Sequence, residues 1–412
     1  MANILNIQRS TITAFGLLII GIMPLEVGAI ILLVIVATKF WNAKRISPDV
    51  YLLILFAILR YLLPIMLNNS DESLIKSISK PIILVGAYLL GLNISNSQTQ
   101  EMNDSEYFKY NYSFSIGLSA YAIISLFFTI VKAPGLLLQR DYYDIWEQNI
   151  RHATVLSDYL VFLAIMIINT SILKRAQKKK VLYQATGLFI TGFIISISLY
   201  LGNRRIILFI LLAILFNMLY IRGHRMVFAV NKNKLSYMIL SIILVAFASF
   251  FIIDRLALLN DAYTNFAERF SRLGVHSSRY DLWKAGLGAV LTDPWKGGIY
   301  PAQVGFPSLP AYHNIWLDIW MKSGLLPTIV FIAFNLFQFH TFLKVLTKNG
   351  PSPELKISIL GVTIIVYMIY MTTTVLTGAF SVFIYTMFIQ GYIKSLASSE
   401  WLKVSGVRYY HI

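Results

Sequence analysis

The sequence has no cysteine among its 412 residues, and only 13% of them are charged. Without cysteine there is no disulfide framework, no thiolate metal site and no cysteine nucleophile, and the redox compartment cannot be read from thiol usage. So few charges, against about a quarter of residues in soluble domains, argue against a water-soluble enzyme. Acidic residues are scarcer still, 19 Asp and Glu against 35 Lys and Arg. The resulting +16 invites a nucleic-acid partner. Most of the excess, however, sits in short clusters between apolar runs, which is the positive-inside pattern of membrane proteins, so no nucleic acid is expected. Chemical motifs are missing too: no Gly-rich phosphate loop ending in Lys-Ser/Thr, no His-Glu-x-x-His, and no Asp-x-Asp pair on the outer side. An energy-coupled pump or zinc protease is poorly supported, and neither a cofactor nor a metal is expected. If phosphates are handled, arginines must neutralise them.

What is present is apolar: 57% of the chain, with 27 Phe, 24 Tyr and 7 Trp. Twelve apolar runs, from 11–23 to 378–395, several near the ~20 residues that cross a bilayer, imply an all-α polytopic bundle of about twelve spans. Residues 1–253 carry nine of them and 318–397 carry three, followed by a tail at 398–412. Basic clusters such as Lys174, Arg175 and 178–180, or Arg222, Arg225, Lys232 and Lys234, then fall on one side, which places both termini in the cytoplasm. The mildly acidic loop 96–113 fits that side least well.

Residues 254–317 form one long outer loop, and its aromatic content predicts that it folds over the membrane surface. Two amphipathic helices are expected in it. One runs over 258–273. The other starts at Ser278-Arg279-Tyr280-Asp281, a capping-box pattern, and stops near Thr292, before Pro294. The Gly- and Pro-rich stretch that follows leads into His313, Asn314 and the next span.

The residues able to carry chemistry are few. Arg279 either binds an anion or reaches toward lipid phosphates, and His313 either acts as acid or base or caps a helix. Asn203-Arg204-Arg205 sits where two spans meet on the outer side. Two arginines there oppose the orientation rule and suit the oxygens of a lipid-linked pyrophosphate, with headgroup anchoring as the plainer alternative. Arg60 and Glu26, inside spans, are either functional or a pair with one another. Asp158 and Asp318 orient a base or a sugar hydroxyl, or are ordinary helix-end carboxylates. The loop 132–152, rich in Tyr, Trp, Arg and Asp, suits either glycan stacking or an interfacial belt.

Ser278-Arg279-Tyr280-Asp281-Leu282-Trp283-Lys284, then Asp293-Pro294-Trp295-Lys296-Gly297-Gly298, then Tyr312-His313-Asn314-Ile315-Trp316-Leu317-Asp318 and Ser323-Gly324-Leu325-Leu326-Pro327 follow one another over about 50 residues. In order and spacing they resemble the Arg-x-x-x-Trp, Pro-x-x-Gly and His-Asn motifs in the large periplasmic loop of the bacterial O-antigen polymerase and O-antigen ligase superfamily. That resemblance implies a GT-C-like bundle in the bacterial inner membrane with its active site facing the periplasm. The implied enzyme is a glycosyltransferase that uses an undecaprenyl-pyrophosphate-linked glycan as donor. Arg204 or Arg205 together with Arg279 would hold the pyrophosphate, and His313 would assist the acceptor hydroxyl. Tyr312, Asn314, Asp318 and Trp283 would support them. The family's outer arginine usually follows a small hydroxyl residue, whereas here Asn203 precedes Arg204, which leaves the choice between Arg204 and Arg205 open. The implied reaction is an inverting, metal-independent displacement. Its partners are the lipid-linked oligosaccharide, membrane lipids, a chain-length regulator protein and a flippase. The flavour of 314–318 and 324–327 favours a polymerase, which moves the growing chain onto the next lipid-linked repeat. The alternatives are a ligase that moves it onto lipid A-core, a lipid-linked oligosaccharide flippase, and a scaffold that modulates chain length.

Overall fold

The computed structural model describes residues 2–23, 27, 28, 30–32, 34, 35, 47–66, 73–94, 100–133, 135–138, 141–173, 180–201, 203, 205–223, 278–295, 297–307, 309, 311–348, 351–376 and 378–398. Arg204, Glu26, the expected span 235–253 and the expected amphipathic helix 258–273 lie outside them.

The chain is mostly helical. In order come α1 (Ala2–Ile22), α2 (Pro48–Ala57), a π-helical turn (Ile58–Leu62), α3 (Leu63–Met66), α4 (Leu74–Ile94), α5 (Gln100–Lys132) and α6 (Gly135–Leu138). A small hairpin follows, β1 (Asp141–Tyr143) and β2 (Ile150–His152), then α7 (Thr154–Leu173), α8 (Lys180–Tyr200) and α9 (Arg205–Gly223). The second half holds α10 (Ser278–Thr292), a 3-10 turn (Pro301–Val304), α11 (Ile315–Ser323), α12 (Leu325–Thr347), α13 (Pro353–Thr372) and α14 (Phe380–Ser398).

Five stretches among the described residues are long and apolar enough to cross a membrane: Pro48–Met66, Leu74–Asn93, Ser105–Lys132, Leu325–Thr347 and Pro353–Thr372. Shorter apolar helices cover Ser10–Ile22, Thr154–Asn169, Phe189–Ser198 and Arg205–Tyr220. Between such helices there is no water-driven hydrophobic force, so close backbone approach and polar contacts do the holding. Gly91 on α4 and Gly391 on α14 show it: a Cβ at either would collide with the backbone of the facing helix. Polar bonds cross the bundle as well. Tyr385 Oη donates to Asn111 Oδ1 at 2.9 Å, and Gln338 Nε2 to Tyr88 Oη at 2.8 Å beside the buried Asp49.

Two expectations change. The segment 96–113, expected as a loop, is helical from Gln100, because Tyr107, Tyr110 and Phe114 recur at helical spacing and are buried. The apolar run 318–345 is broken at Gly324, whose φ of 81° ends α11 before α12 begins. Asp318 therefore sits on a short helix that precedes the membrane span.

Bonds gather the start of α7, the start of α9 and the end of α13 with α10 and α11: Arg205 and Arg279 both reach the Thr372 carbonyl, Asn203 reaches Thr154, and Trp320 reaches Pro294. The hairpin that precedes α7 is stitched to its neighbours. Asp144 Oδ1 accepts the Trp146 and Glu147 amides at 2.8 and 3.1 Å, and its Oδ2 accepts the Tyr121 hydroxyl at 2.7 Å. Trp146 Nε1 donates to the Ile22 carbonyl at 2.7 Å, and Lys76 pairs with Glu147 at 3.2 Å. The hairpin thus ties α1, α4 and α5 together and holds His152, the partner of Asp141 in the strand register, at the start of α7.

Candidate active site

The site begins where α9 starts. Arg205 sends its Nη2 to Asp158 Oδ2 at 3.2 Å and its Nε to Asn203 Oδ1 at 3.1 Å. Its Nη1 donates to Thr373 Oγ1 at 3.0 Å and to the Thr372 carbonyl. Asp158 in turn accepts the Thr373 hydroxyl at 3.0 Å. Asn203 Nδ2 donates to the Thr154 carbonyl at 3.1 Å, which fixes this group against the first turn of α7. Thr372 and Thr373 are available because α13 ends there and the backbone turns extended. The last carbonyls of a helix need donors from outside it, and arginines supply them.

Arg279 arrives from α10 and donates its Nη1 to the same Thr372 carbonyl at 2.8 Å. Two guanidinium groups therefore converge on one oxygen, and Asp158 offsets one of the two charges. Burial, with the neighbouring Arg205, brings Arg279 down to about 10, against the opposing pull of Asp158. An anion placed between the two arginines would relieve both the repulsion and the desolvation.

The helix that carries Arg279 is anchored from the next loop. Trp283, one turn on, donates its indole N–H to the Tyr312 carbonyl at 3.0 Å. Leu282 is buried, and Gly286 leaves room for the Tyr312 ring, which a Cβ would strike. Pro294 and Gly297 complete the dock. The Pro294 carbonyl takes the Trp320 indole N–H at 2.9 Å, and Gly297, at φ 64°, lies so close to the Trp320 carbonyl and to Gly324 that no Cβ fits. Gly298 N–H then donates to the Met321 carbonyl at 2.7 Å. The Arg-x-x-x-Trp and Pro-x-x-Gly spacings are thus the spacings of one joint between α10 and α11.

His313 lies at the end of that joint, in the left-handed region at φ 55°, where only a few per cent of non-glycine residues are found. Its neighbours hold it there. Tyr312 N–H donates to Asp318 Oδ1 at 2.7 Å, and Asn314 Oδ1 caps α11 by accepting the Trp316 and Leu317 amides at 3.1 and 3.4 Å. Burial, then the charges of Arg279 and Arg205 and the nearby His152, push the His313 ring down to about 4. It is a neutral imidazole at pH 7, beside two cations. Burial raises Asp318 to about 7 despite its backbone donors.

Of the residues expected from sequence, Arg205, Arg279 and His313 are brought to one place, while Arg204 lies outside the described residues. Tyr312, Asn314, Asp318 and Trp283 make the bonds that shape the loop under His313. Much of the polar content of 132–152, expected to face a glycan or an interface, is consumed internally: Arg151 bonds Asp144 and Glu147 at 3.2 and 2.6 Å, and Tyr142 is fully buried. Two features of the site were missed by sequence reasoning. Asp158 was expected to orient a base or a sugar hydroxyl or to be an ordinary helix-end carboxylate, and its pairing with Arg205 has no local signal. His152 is pushed below its ordinary value by burial and by Arg205 and Arg279, against Asp141, which raises it. The strand register that brings it in was not anticipated.

Among the described residues no three His, Cys, Asp or Glu group into a metal-binding set. No curated protein matches the chain. A family model described as O-Antigen ligase matches residues 190–332, which hold Arg205, Arg279 and His313. That match, with apolar membrane-length helices around it, supports the O-antigen polymerase and ligase superfamily that the motifs resemble.

Proposed function

We propose that the chain is an O-antigen polymerase of the bacterial inner membrane, with the Arg205 end of the bundle facing the periplasm. It transfers the growing glycan from undecaprenyl pyrophosphate to a sugar hydroxyl of the next lipid-linked repeat. The observation that carries this reading is the convergence of Arg205 and Arg279 on one carbonyl, with neutral His313 close enough to feel both charges. The basic clusters at the opposite ends of the apolar runs support the orientation.

The chemistry follows from those groups. As the bond from the anomeric carbon to the diphosphate oxygen breaks, negative charge builds on the leaving diphosphate. Fixed guanidinium groups in a partly dehydrated cleft stabilise that charge. The acceptor hydroxyl forms the new bond from the opposite face, inverting the centre, and its proton passes to His313. Diphosphate binding also tunes the base: burial is the main cause that holds His313 down, and the diphosphate offsets the two arginine charges that add to it, so the imidazole becomes a stronger proton acceptor when the donor is in place. Arginines supply the charge compensation in this scheme, so a chelator leaves turnover unchanged. Membrane lipids surround the enzyme, and a flippase and a chain-length regulator are the expected protein partners.

A ligase reading is favoured by the matching family model, described as O-Antigen ligase, and it differs only in the acceptor, lipid A-core. Electrophoresis of the surface polysaccharide after deletion of the gene separates the readings. Core bearing a single repeat is the polymerase result. Naked core with polymer retained on the lipid carrier is the ligase result. Loss of all outer repeats would point to a flippase and overturn the enzyme reading.

A further inference from the structure

Arg60 is not used by the chemistry above, and its setting is costly. It lies in the π-helical turn Ile58–Leu62 inside the span Pro48–Met66 and is 6% exposed. Its Nε has no hydrogen-bond partner, and among the described residues no carboxylate pairs with the guanidinium, which rests over the Tyr61 ring at 4.9 Å from the centroid. A buried cation within a membrane span persists where it meets an anion or a polar cavity, and such residues mark substrate paths. A π-turn inserted in a helix is likewise common at functional sites.

Lys80, 8% exposed, approaches the same ring from α4. Its Nζ lies 5.9 Å from the Tyr61 centroid and 5.4 Å from that of Phe380. The Arg60 charge reaches Asp318, but Asp318 Oδ1 is already bonded to the Tyr312 amide. Tyr61 and Phe380 meet edge to face at 6.4 Å. Phe380 opens α14 directly after the connection 373–379, and the far end of that connection, Thr372 and Thr373, is the part bonded by Arg205 and Arg279. One short connection therefore separates the arginine pair from a second cationic group buried in the bundle. Beside that group, Leu55, Ile58, Leu63 and Met66 are exposed apolar side chains on the same span.

We propose that Arg60, assisted by Lys80, recognises the phosphate headgroup of a second membrane-anchored lipid, the diphosphate of the acceptor repeat, with its hydrocarbon chain along the exposed face of Pro48–Met66. The inference rests on the polymerase reading, in which Arg205 and Arg279 hold the donor. A polymerase must hold two lipid diphosphates at once, and their headgroups repel. Two cationic sites at either end of one connection keep the charges apart. The shared chemistry is a phosphate-bearing lipid headgroup, whose source is either a polyprenyl diphosphate or bulk phosphatidylglycerol.

The test uses the full chain in nanodiscs of zwitterionic lipid, with polyprenyl diphosphate as probe and bound copies counted by native mass spectrometry. Wild type is expected to hold two copies, and Arg60→Gln one, with the remaining site unchanged in affinity and the lost site weakened at least tenfold. Arg279→Gln should lose the other copy, and Arg60→Lys should retain two. Two copies at wild-type affinity in Arg60→Gln overturn the inference. So does a single copy in wild type that Arg279→Gln alone removes, an outcome that leaves the donor site standing. If Arg279→Gln changes nothing, the donor-site reading fails independently of the Arg60 result. With phosphatidylglycerol in the disc, polyprenyl diphosphate is expected to displace it at the Arg60 site, and failure to displace it also overturns the proposal. Photo-crosslinking of wild type with a diazirine polyprenyl diphosphate covers a misfolded Arg60 variant. Labels in 58–66 or 74–80 are expected, and labels confined to 205 and 278–313 contradict the second site.

Discussion

His313 combines a backbone in the left-handed region with a ring held neutral by burial and two guanidinium groups. Asparagine tolerates that backbone but cannot take a proton in the working range. His313→Asn is therefore expected to keep the fold and lipid binding while glycan transfer falls by roughly a hundredfold or more, measured as polymer formed by purified protein. The depressed value also carries a stability consequence. The unfolded imidazole titrates near 6.5 and the folded one near 4, so between those values the unfolded state binds more protons. The contribution of His313 to stability is complete above pH 6.5 and is lost as the pH falls toward 4. The thermal midpoint in detergent should drop over that window, and His313→Asn should flatten the drop. At the same scale Arg205 and Arg279 differ: Arg205 is tied to Asp158 at 3.2 Å, whereas Arg279 reaches a backbone carbonyl. Asp158→Asn is expected to weaken the placement of Arg205 and lower donor affinity, read as a raised KM.

Helices α10 and α11 show what spacing in the sequence means physically. Gly297 sits where any Cβ would strike the Trp320 carbonyl, at a φ that other residues resist. Gly297→Ala should cost about 1–3 kcal/mol from the backbone conformation alone, measurable as a lower thermal midpoint. It should also uncouple the dock that carries Arg279. Trp283→Phe removes one indole bond to the Tyr312 carbonyl, worth about 1 kcal/mol. Its larger expected effect is on turnover, because Trp283 sets Arg279 against His313. The second amphipathic helix was legible in outline, since Pro294 sets its end and its apolar residues recur at helical spacing. The hairpin 141–152 was not. Its strands have three residues each, and its stability comes from Asp144, Trp146 and Arg151 bonding to partners far away in the chain. The break at Gly324 was also hidden, because the apolar run continues through it and only the contact with Gly297 explains it.

Across the whole molecule, the membrane class was legible from composition, because backbone groups in lipid demand helices and helices in lipid demand apolar surfaces. The arginines on the side opposed to the orientation rule were legible as an anomaly. What sequence could not supply was the company they keep: Asp158 meets Arg205 across 47 positions, and Thr372 meets Arg279 across 93. Such meetings depend on the packing of α7, α9, α10 and α13, which no local pattern records. The same packing puts the site at one end of the bundle, where the proposed lipid-anchored substrate would reach it from the membrane with its sugars extending into water.

The central claim is that this end of the bundle breaks a glycosyl diphosphate bond. The direct measurement is chromatography of the lipid products after purified protein is incubated with a synthetic lipid-linked repeat. The account predicts that wild type releases one polyprenyl diphosphate for each glycosidic bond formed, and that His313→Asn binds the substrate with unchanged affinity but releases none. Release at the wild-type rate by His313→Asn, or glycan extension by wild type without polyprenyl diphosphate, would contradict it.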